Sequence, residues 1–191
     1  MEQRQSDDGR QKKMRKDVML VTGAGQIGMA IARRVGFGKK IILGDKNIDN
    51  ARTIAKIMND AGYEVEPFEM DLSSRNSILA IIAKAQEYGE IRYLVNAAGV
   101  SPSQAPIEAI LRVDLYGTAV LLEEVGKVIA EGGAGVTISS QSGWRMPQLS
   151  AEQDGQTACH DANGRASFPS NPSAGKHQRY ASRLSACKTL Q

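Results

Sequence analysis

Apolar positions in this chain fall into short runs separated by longer stretches of helical period. Val18–Val21 is an apolar run bounded by polar residues, as expected of a buried strand, and Ile27, Ala30, Ile31 and Val35 then begin a helical period. Lys40–Asp45 (K-I-I-L-G-D) predicts a second strand. From Ile48 to Ala61, residues Ile48, Ala51, Ile54, Ala55, Ile57 and Met58 recur at helical spacing, and Gly62 closes the helix. Val65–Phe68 predicts a third, short strand, followed by Met70-Asp71-Leu72. Ser73 or Ser74 caps the next helix, with Ile78, Ile81, Ile82 and Ala85 as its buried stripe. Ile91–Val95 predicts a fourth strand that runs into Asn96-Ala97-Ala98-Gly99. One long helix is expected from about Pro106 to Glu131, stopped by Gly132-Gly133. Its apolar positions, among them Ile107, Leu111, Leu115, Leu122 and Ile129, form a stripe wide enough to bury two faces, one on the sheet and one on a second subunit. Gly135–Ser140 predicts a fifth strand.

Strands alternating with helices predict an α/β fold, a doubly wound parallel sheet of Rossmann-like type. Right-handed crossovers bring every strand's carboxyl end to one edge. Residues 1–15 are polar throughout and predict a solvated, mobile arm, and residues 16–150 carry the α/β pattern. From Ala151 to Gln191 there is no valine or isoleucine, and the leucines are Leu184 and Leu190, so 151–191 is expected to be an irregular or disordered tail. On this reading the sheet is truncated after its fifth strand. A frame change near codon 153 would explain the abrupt shift in composition.

Composition narrows the function classes. The formal net charge is +3 with both signs interspersed, which gives no reason to expect nucleic acid or an anionic membrane. No stretch approaches the roughly 18 apolar residues of a membrane span. Two cysteines supply no disulfide framework, so a reducing cytoplasm is expected. Cys159, His160, His177 and Cys187 fit no standard zinc spacing, and no metal is expected.

The chemistry starts at the end of the first strand. Thr22-Gly23-Ala24-Gly25-Gln26-Ile27-Gly28 places glycines at G-x-G-x-x-G spacing between a strand and a helix. Gly23 allows a tight turn, Gly25 allows close approach to a pyrophosphate, and Gly28 allows the helix to pack on the strand. The helix then offers its N–H groups and positive dipole end to phosphate. Asp45 lies at the end of the second strand, 22 positions after Gly23, where a ribose-binding acid is expected. A turn that needs glycine only for its own geometry is the competing reading.

Four motifs in this order resemble the short-chain dehydrogenase/reductase family: T-G-A-G-Q-I-G after strand one, Asp71-Leu72 after strand three, N-A-A-G after strand four, and I-S-S-x-x-G (Ile138–Gly143) after strand five. The likeness covers about residues 16–147. It implies an NAD(P)-dependent oxidoreductase that moves hydride between nicotinamide C4 and a carbonyl or secondary alcohol, with NAD expected over NADP. Asp45 would bind the adenosine ribose hydroxyls, and Lys46 beside it would soften discrimination against NADP. Asp71 and Leu72 would flank adenine. Asn96, Ala97, Ala98 and Gly99 would let the backbone pass close to the nicotinamide ribose. Ser140 would hydrogen-bond the substrate oxygen, with Ser139 and Ser142 as neighbouring claimants, and Trp144, Arg145 and Met146 would begin the substrate-side loop.

Three departures from the family pattern stand out. The glycine loop is one residue shorter than T-G-x-x-x-G-x-G. Asp114, in V-D-L-Y-G-T, takes the place of the family's helix asparagine and is carried over as a catalytic-site residue. No Tyr-x-x-x-Lys follows Ser140. Tyr180 is the tyrosine beyond Ser140, with Leu184 where the lysine would stand, and it is the candidate proton donor. Two function classes follow: an oxidoreductase, or a dinucleotide-binding protein without turnover. Homo-oligomerisation through helix 106–131 is a further expectation.

Overall fold

The computed structural model describes residues 16–141. Strands β1 (Lys16–Thr22), β2 (Lys40–Asp45), β3 (Glu64–Glu69), β4 (Gly89–Asn96) and β5 (Ala134–Thr137) form one sheet of order β3-β2-β1-β4-β5. Every pairing is parallel. Side chains of a strand alternate between faces, and β1 shows how this builds two cores. Val18 and Leu20 join Ile42, Ile91 and Leu94 under helix α3 (Arg75–Gln86) and α5 (Thr118–Gly126). Met19 and Val21 join Ile41, Leu43 and Val95 under α1 (Gln26–Val35) and α2 (Ile48–Asp60). Burial on both faces explains why these strands read as continuous apolar runs rather than alternating ones.

The helix limits follow local chemistry. The Asn47 side chain accepts from the N–H groups of Asp49 and Asn50 and starts α2, and Gly62, at φ +89°, turns the chain after it. Ser74, rather than Ser73, caps α3 by accepting from Ser77 N–H. The predicted stripe of Ile78, Ile81, Ile82 and Ala85 is buried.

Three expectations are corrected. The helix expected over 106–131 is α4 (Ile107–Ile110), a π-helical segment (Leu111–Gly117) and α5, which closes at Gly126. A Cβ on Gly117 would lie 2.2 Å from the carbonyl oxygen of Leu72, so this turn is held against the loop after β3. Past Gly126 the N–H of Ala130 bonds the Ile91 carbonyl at 2.9 Å, drawing the chain onto β4 before Gly132 is reached. Second, β5 is shorter than 135–140, because its partner β4 ends at Asn96, opposite Thr137. One further bond, Ile138 N–H to the Asn96 carbonyl at 2.8 Å, precedes Ser139 and Ser140 outside the strand. Third, β1, β3 and β4 extend past their apolar cores into polar residues, since backbone pairing such as Lys16 with Gly89 continues there. The N-terminal arm and the tail lie outside the described residues.

β1 sits between β2 and β4, so consecutive connections run to opposite sides of it. The crevice beyond the carboxyl ends of β1 and β4 is the topological switch point, where doubly wound sheets bind ligands.

Candidate functional site

The glycine loop leaves β1 at that switch point. Gly23 has φ +89°, and a Cβ there would lie 2.6 Å from the backbone nitrogen of Ala98 and 2.7 Å from the carbonyl carbon of Ala97. Only glycine fits, both for the backbone angle and for the contact with the loop after β4. A Cβ on Gly28 would lie 2.5 Å from the Gly23 carbonyl oxygen, so α1 rests directly on the turn. Gly25 is different: among the described residues nothing lies within 4 Å of its Cβ position. It stands at the N-terminus of α1, which has neither a side-chain cap nor an acidic residue in its first turn. A helix N-terminus without a side-chain cap, next to an open position at Gly25, fits a pyrophosphate. Gln26 and Ile27 are exposed beside it, and Ile27, 56% exposed, offers an apolar surface at the same place.

Asp45 ends β2 with its carboxylate against the loop. Its Oδ2 accepts from Ala24 N–H at 2.7 Å and its Oδ1 accepts from Asn47 N–H at 2.8 Å. The Met70 N–H bonds the Asp45 carbonyl at 2.9 Å, which brings Asp71 and Leu72 to the same edge. Asp71 Oδ1 accepts from the Ser73 hydroxyl at 2.6 Å and its N–H at 2.9 Å, while Lys46 Nζ lies 2.9 Å from Oδ2. Partial burial pushes the Asp71 carboxyl up, but Ser73 and Lys46 outweigh it and hold the group below its ordinary value. Leu72 is only 4% exposed and belongs to the core.

On the other side of the crevice, Thr22 and Asn96 are fully buried. The Thr22 hydroxyl donates to Asn96 Oδ1 at 2.7 Å, and Asn96 Nδ2 donates to the Thr118 hydroxyl at 3.3 Å. These side chains tie β1, β4 and α5 together, and Ala97 N–H bonds the Thr22 carbonyl at 2.8 Å. The backbone of Ala97–Gly99 therefore emerges beside the glycine loop. Asp114, from the π-helical segment, accepts from Val100 N–H at 3.0 Å and fixes the loop beyond Gly99. Ser140 is exposed just past β5, on the same carboxyl edge.

The tertiary structure thus brings Gly23, Gly25, Gly28, Asp45, Asp71, Asn96, Ala97, Ala98, Gly99 and Ser140 to one edge of the sheet. Tyr180, Ser142 and Trp144–Met146 lie outside the described residues, as do Cys159, His160, His177 and Cys187. Among the described residues there is no metal-binding group of His, Cys, Asp or Glu, and no helix long and apolar enough to cross a membrane. Asn47, Asn50 and Thr118 are site-supporting residues that sequence reasoning did not single out. For Asn47 a signal existed, since an asparagine directly before a helical period is a capping residue.

The short chain dehydrogenase profile matches residues 17–151. Short-chain dehydrogenase/reductase bsc3 of Alternaria brassicicola is 38% identical over 135 residues, 71% of this chain and 49% of that protein. D-threitol dehydrogenase of Mycolicibacterium smegmatis is 34% identical over 136 residues, 65% of this chain and 52% of that protein. The chain spans about half the length of these relatives. The solved short-chain dehydrogenase/reductase of Serratia marcescens superposes with a TM-score of 0.61 at 23% identity, covering 71% of this chain and 60% of that one. A matched profile over most of the chain and a shared sheet lead to one conclusion: this chain belongs to the short-chain dehydrogenase/reductase family.

Proposed function

We propose that the carboxyl edge of this sheet binds NAD(H), and that the protein is an NAD-dependent oxidoreductase acting on a carbonyl or secondary alcohol. The observation that carries the reading is the open space at Gly25, beside an uncapped helix N-terminus and framed by two glycines with no room for a Cβ. The turn glycines Gly38 and Gly62 are equally open but have positive φ, whereas Gly25, at φ −84°, does not need glycine for its backbone angle, so its missing side chain is explained by what must approach it. A structural neighbour from Haemophilus influenza, with a TM-score of 0.58 at 16% identity, holds bound NAD and supports the same choice.

Bound NAD supplies a nicotinamide C4 that accepts or donates hydride. The chain's own residues bind and orient. The N-terminus of α1 and the Gly23–Gly28 backbone take the phosphates, and Asp45 accepts the ribose hydroxyls and opposes a 2′-phosphate. Lys46, beside Asp45 and paired with Asp71 at 2.9 Å, softens that discrimination without reversing it. Ala97–Gly99 gives the nicotinamide ribose a surface of small residues, and Asp114 holds the loop that follows. Ser140 holds the substrate oxygen, and Tyr180 is the sequence's candidate for the proton. A second reading, dinucleotide binding without turnover, is favoured by Leu184 standing where the family lysine would follow Tyr180. A cytoplasmic location and self-association through 106–131, where Leu122 is 41% exposed, belong to the proposal.

Titration of the purified chain with NADH and NADPH tests the binding. NADH is expected to bind more tightly, and Asp45→Ala should weaken NADH about tenfold while narrowing the gap to NADPH. Tighter NADPH binding by the wild type would overturn the assignment of Asp45. Ser140→Ala should leave NADH affinity within about twofold and remove turnover on a panel of alcohols and ketones. NADH binding with no turnover on that panel would select the second reading.

A further inference from the structure

Asn50 lies in the first turn of α2, is exposed, and belongs to no motif that the family resemblance uses. Its backbone N–H donates to Asn47 Oδ1 at 3.1 Å, and its side-chain Nδ2 donates to the Ala24 carbonyl at 3.2 Å. Ala24 N–H donates to Asp45 Oδ2 at 2.7 Å, and Asp45 Oδ1 accepts from Asn47 N–H at 2.8 Å. These four bonds close a ring through Ala24, Asp45, Asn47 and Asn50. Both polar groups of the Ala24 residue are thereby held by the β2–α2 junction, one by a carboxylate and one by an amide.

Ala24 stands between the glycine that makes the turn and the glycine that faces open space. Its orientation therefore sets where the Gly25 backbone points. The loop is one residue shorter than the family's T-G-x-x-x-G-x-G, so it has less chain of its own to fix that orientation. We propose that Asn50 is a positioning residue, which locks the Gly23–Gly28 loop in its pyrophosphate-binding conformation before ligand arrives. Through the ring it also couples that loop to Asp45, the residue assigned to ribose. The inference rests on the dinucleotide-binding reading above. Preorganisation of this kind raises affinity by removing the cost of ordering the loop on binding.

The test uses the full chain, Asn50→Ala, Asp45→Asn and the double variant, with NADH and AMP as probes. Alanine at an exposed first-turn position keeps the helix, so the variant is expected to fold with α2 intact. Asn50→Ala should weaken NADH about three- to tenfold, as for one lost hydrogen bond, and weaken AMP, which lacks the pyrophosphate, by less. In the ligand-free variant the Ala24 amide should exchange with solvent at least about threefold faster, while the amides of Ala55 and Met58 in α2 stay unchanged. The double variant should lose less NADH affinity than the product of the two single losses. A wild type that binds NADH, with a folded Asn50→Ala that binds it equally and keeps Ala24 exchange unchanged, overturns the positioning role alone. Equal losses for NADH and AMP, or faster exchange throughout α2, would make Asn50 merely structural and also overturn it. A wild type that binds no NADH overturns the dinucleotide reading, and this inference with it.

Discussion

The two sides of the crevice are fastened by different means. Toward β2 and β3, exposed or partly exposed polar side chains make the bonds around the glycine loop: Asp45 and Asn50 hold the Ala24 backbone, and Asp71 pairs with Ser73 and Lys46. Toward β4 and β5, the fastening is internal. Thr22, Asn96 and Thr118 bond beneath the surface, and Asp114 reaches up from a π-helical turn to hold Val100. The first arrangement is cheap to alter and easy for a ligand to join, because water replaces a lost partner. The second is costly to alter, because a buried polar group that loses its partner keeps its desolvation penalty. The difference separates residues expected to govern affinity from residues expected to govern folding.

Two glycines only two positions apart give the largest contrast. Gly23→Ala meets the Ala97–Ala98 backbone at a positive φ and should cost about 3 kcal/mol or more, read as a fall in denaturant midpoint at constant m. Gly25→Val enters open space, should cost about 1 kcal/mol through the poorer N-cap, and should weaken NADH at least about 100-fold. If both variants lost stability alike and bound NADH alike, the two glycines would not have separate tasks.

Asn96→Leu probes the buried side. It removes the partner of the Thr22 hydroxyl at a fully buried position and should destabilise by about 2–4 kcal/mol. Chemical denaturation measures this directly; a loss under about 0.5 kcal/mol would mean that the network is not what joins β1, β4 and α5.

The smallest effect is expected on the exposed side. The Asp71 carboxyl is held below its ordinary value of 3.8, so its contribution to stability is complete above that pH and disappears as pH falls through the lowered value. Lys46→Met removes one of the groups that lower it. The acid loss of stability attributable to Asp71 should then be smaller and be complete at a higher pH, and the change at neutral pH should stay below about 1 kcal/mol, as for exposed ion pairs. Thermal melts from neutral to acid pH would show it, and identical acid profiles would count against the Lys46–Asp71 pair.

Much of this arrangement is legible in the sequence because it is local. The apolar runs specify strands and the helical periods specify helices. The G-x-G-x-x-G spacing locates the loop, because a turn, an open position and a close contact each demand glycine within a few residues. Ser74 and the Ile78–Ala85 stripe are fixed by their own neighbours in the chain. What tertiary structure decided is wherever two distant segments meet. Gly117 against Leu72 sets the π-helical turn, and the bond from Ala130 to Ile91 removes the chain from a helix whose apolar period continues to Ile129. The end of β4 ends β5, although Ile138 remains a good strand residue. Asn50 carries no signal at all in the sequence, because its amide acts on a carbonyl 26 residues away. Periodicity reports which face a residue can bury. It does not report which remote backbone group will claim that residue's hydrogen bond, and that choice, made only when β1, β2 and α2 come together, gives this glycine loop its shape.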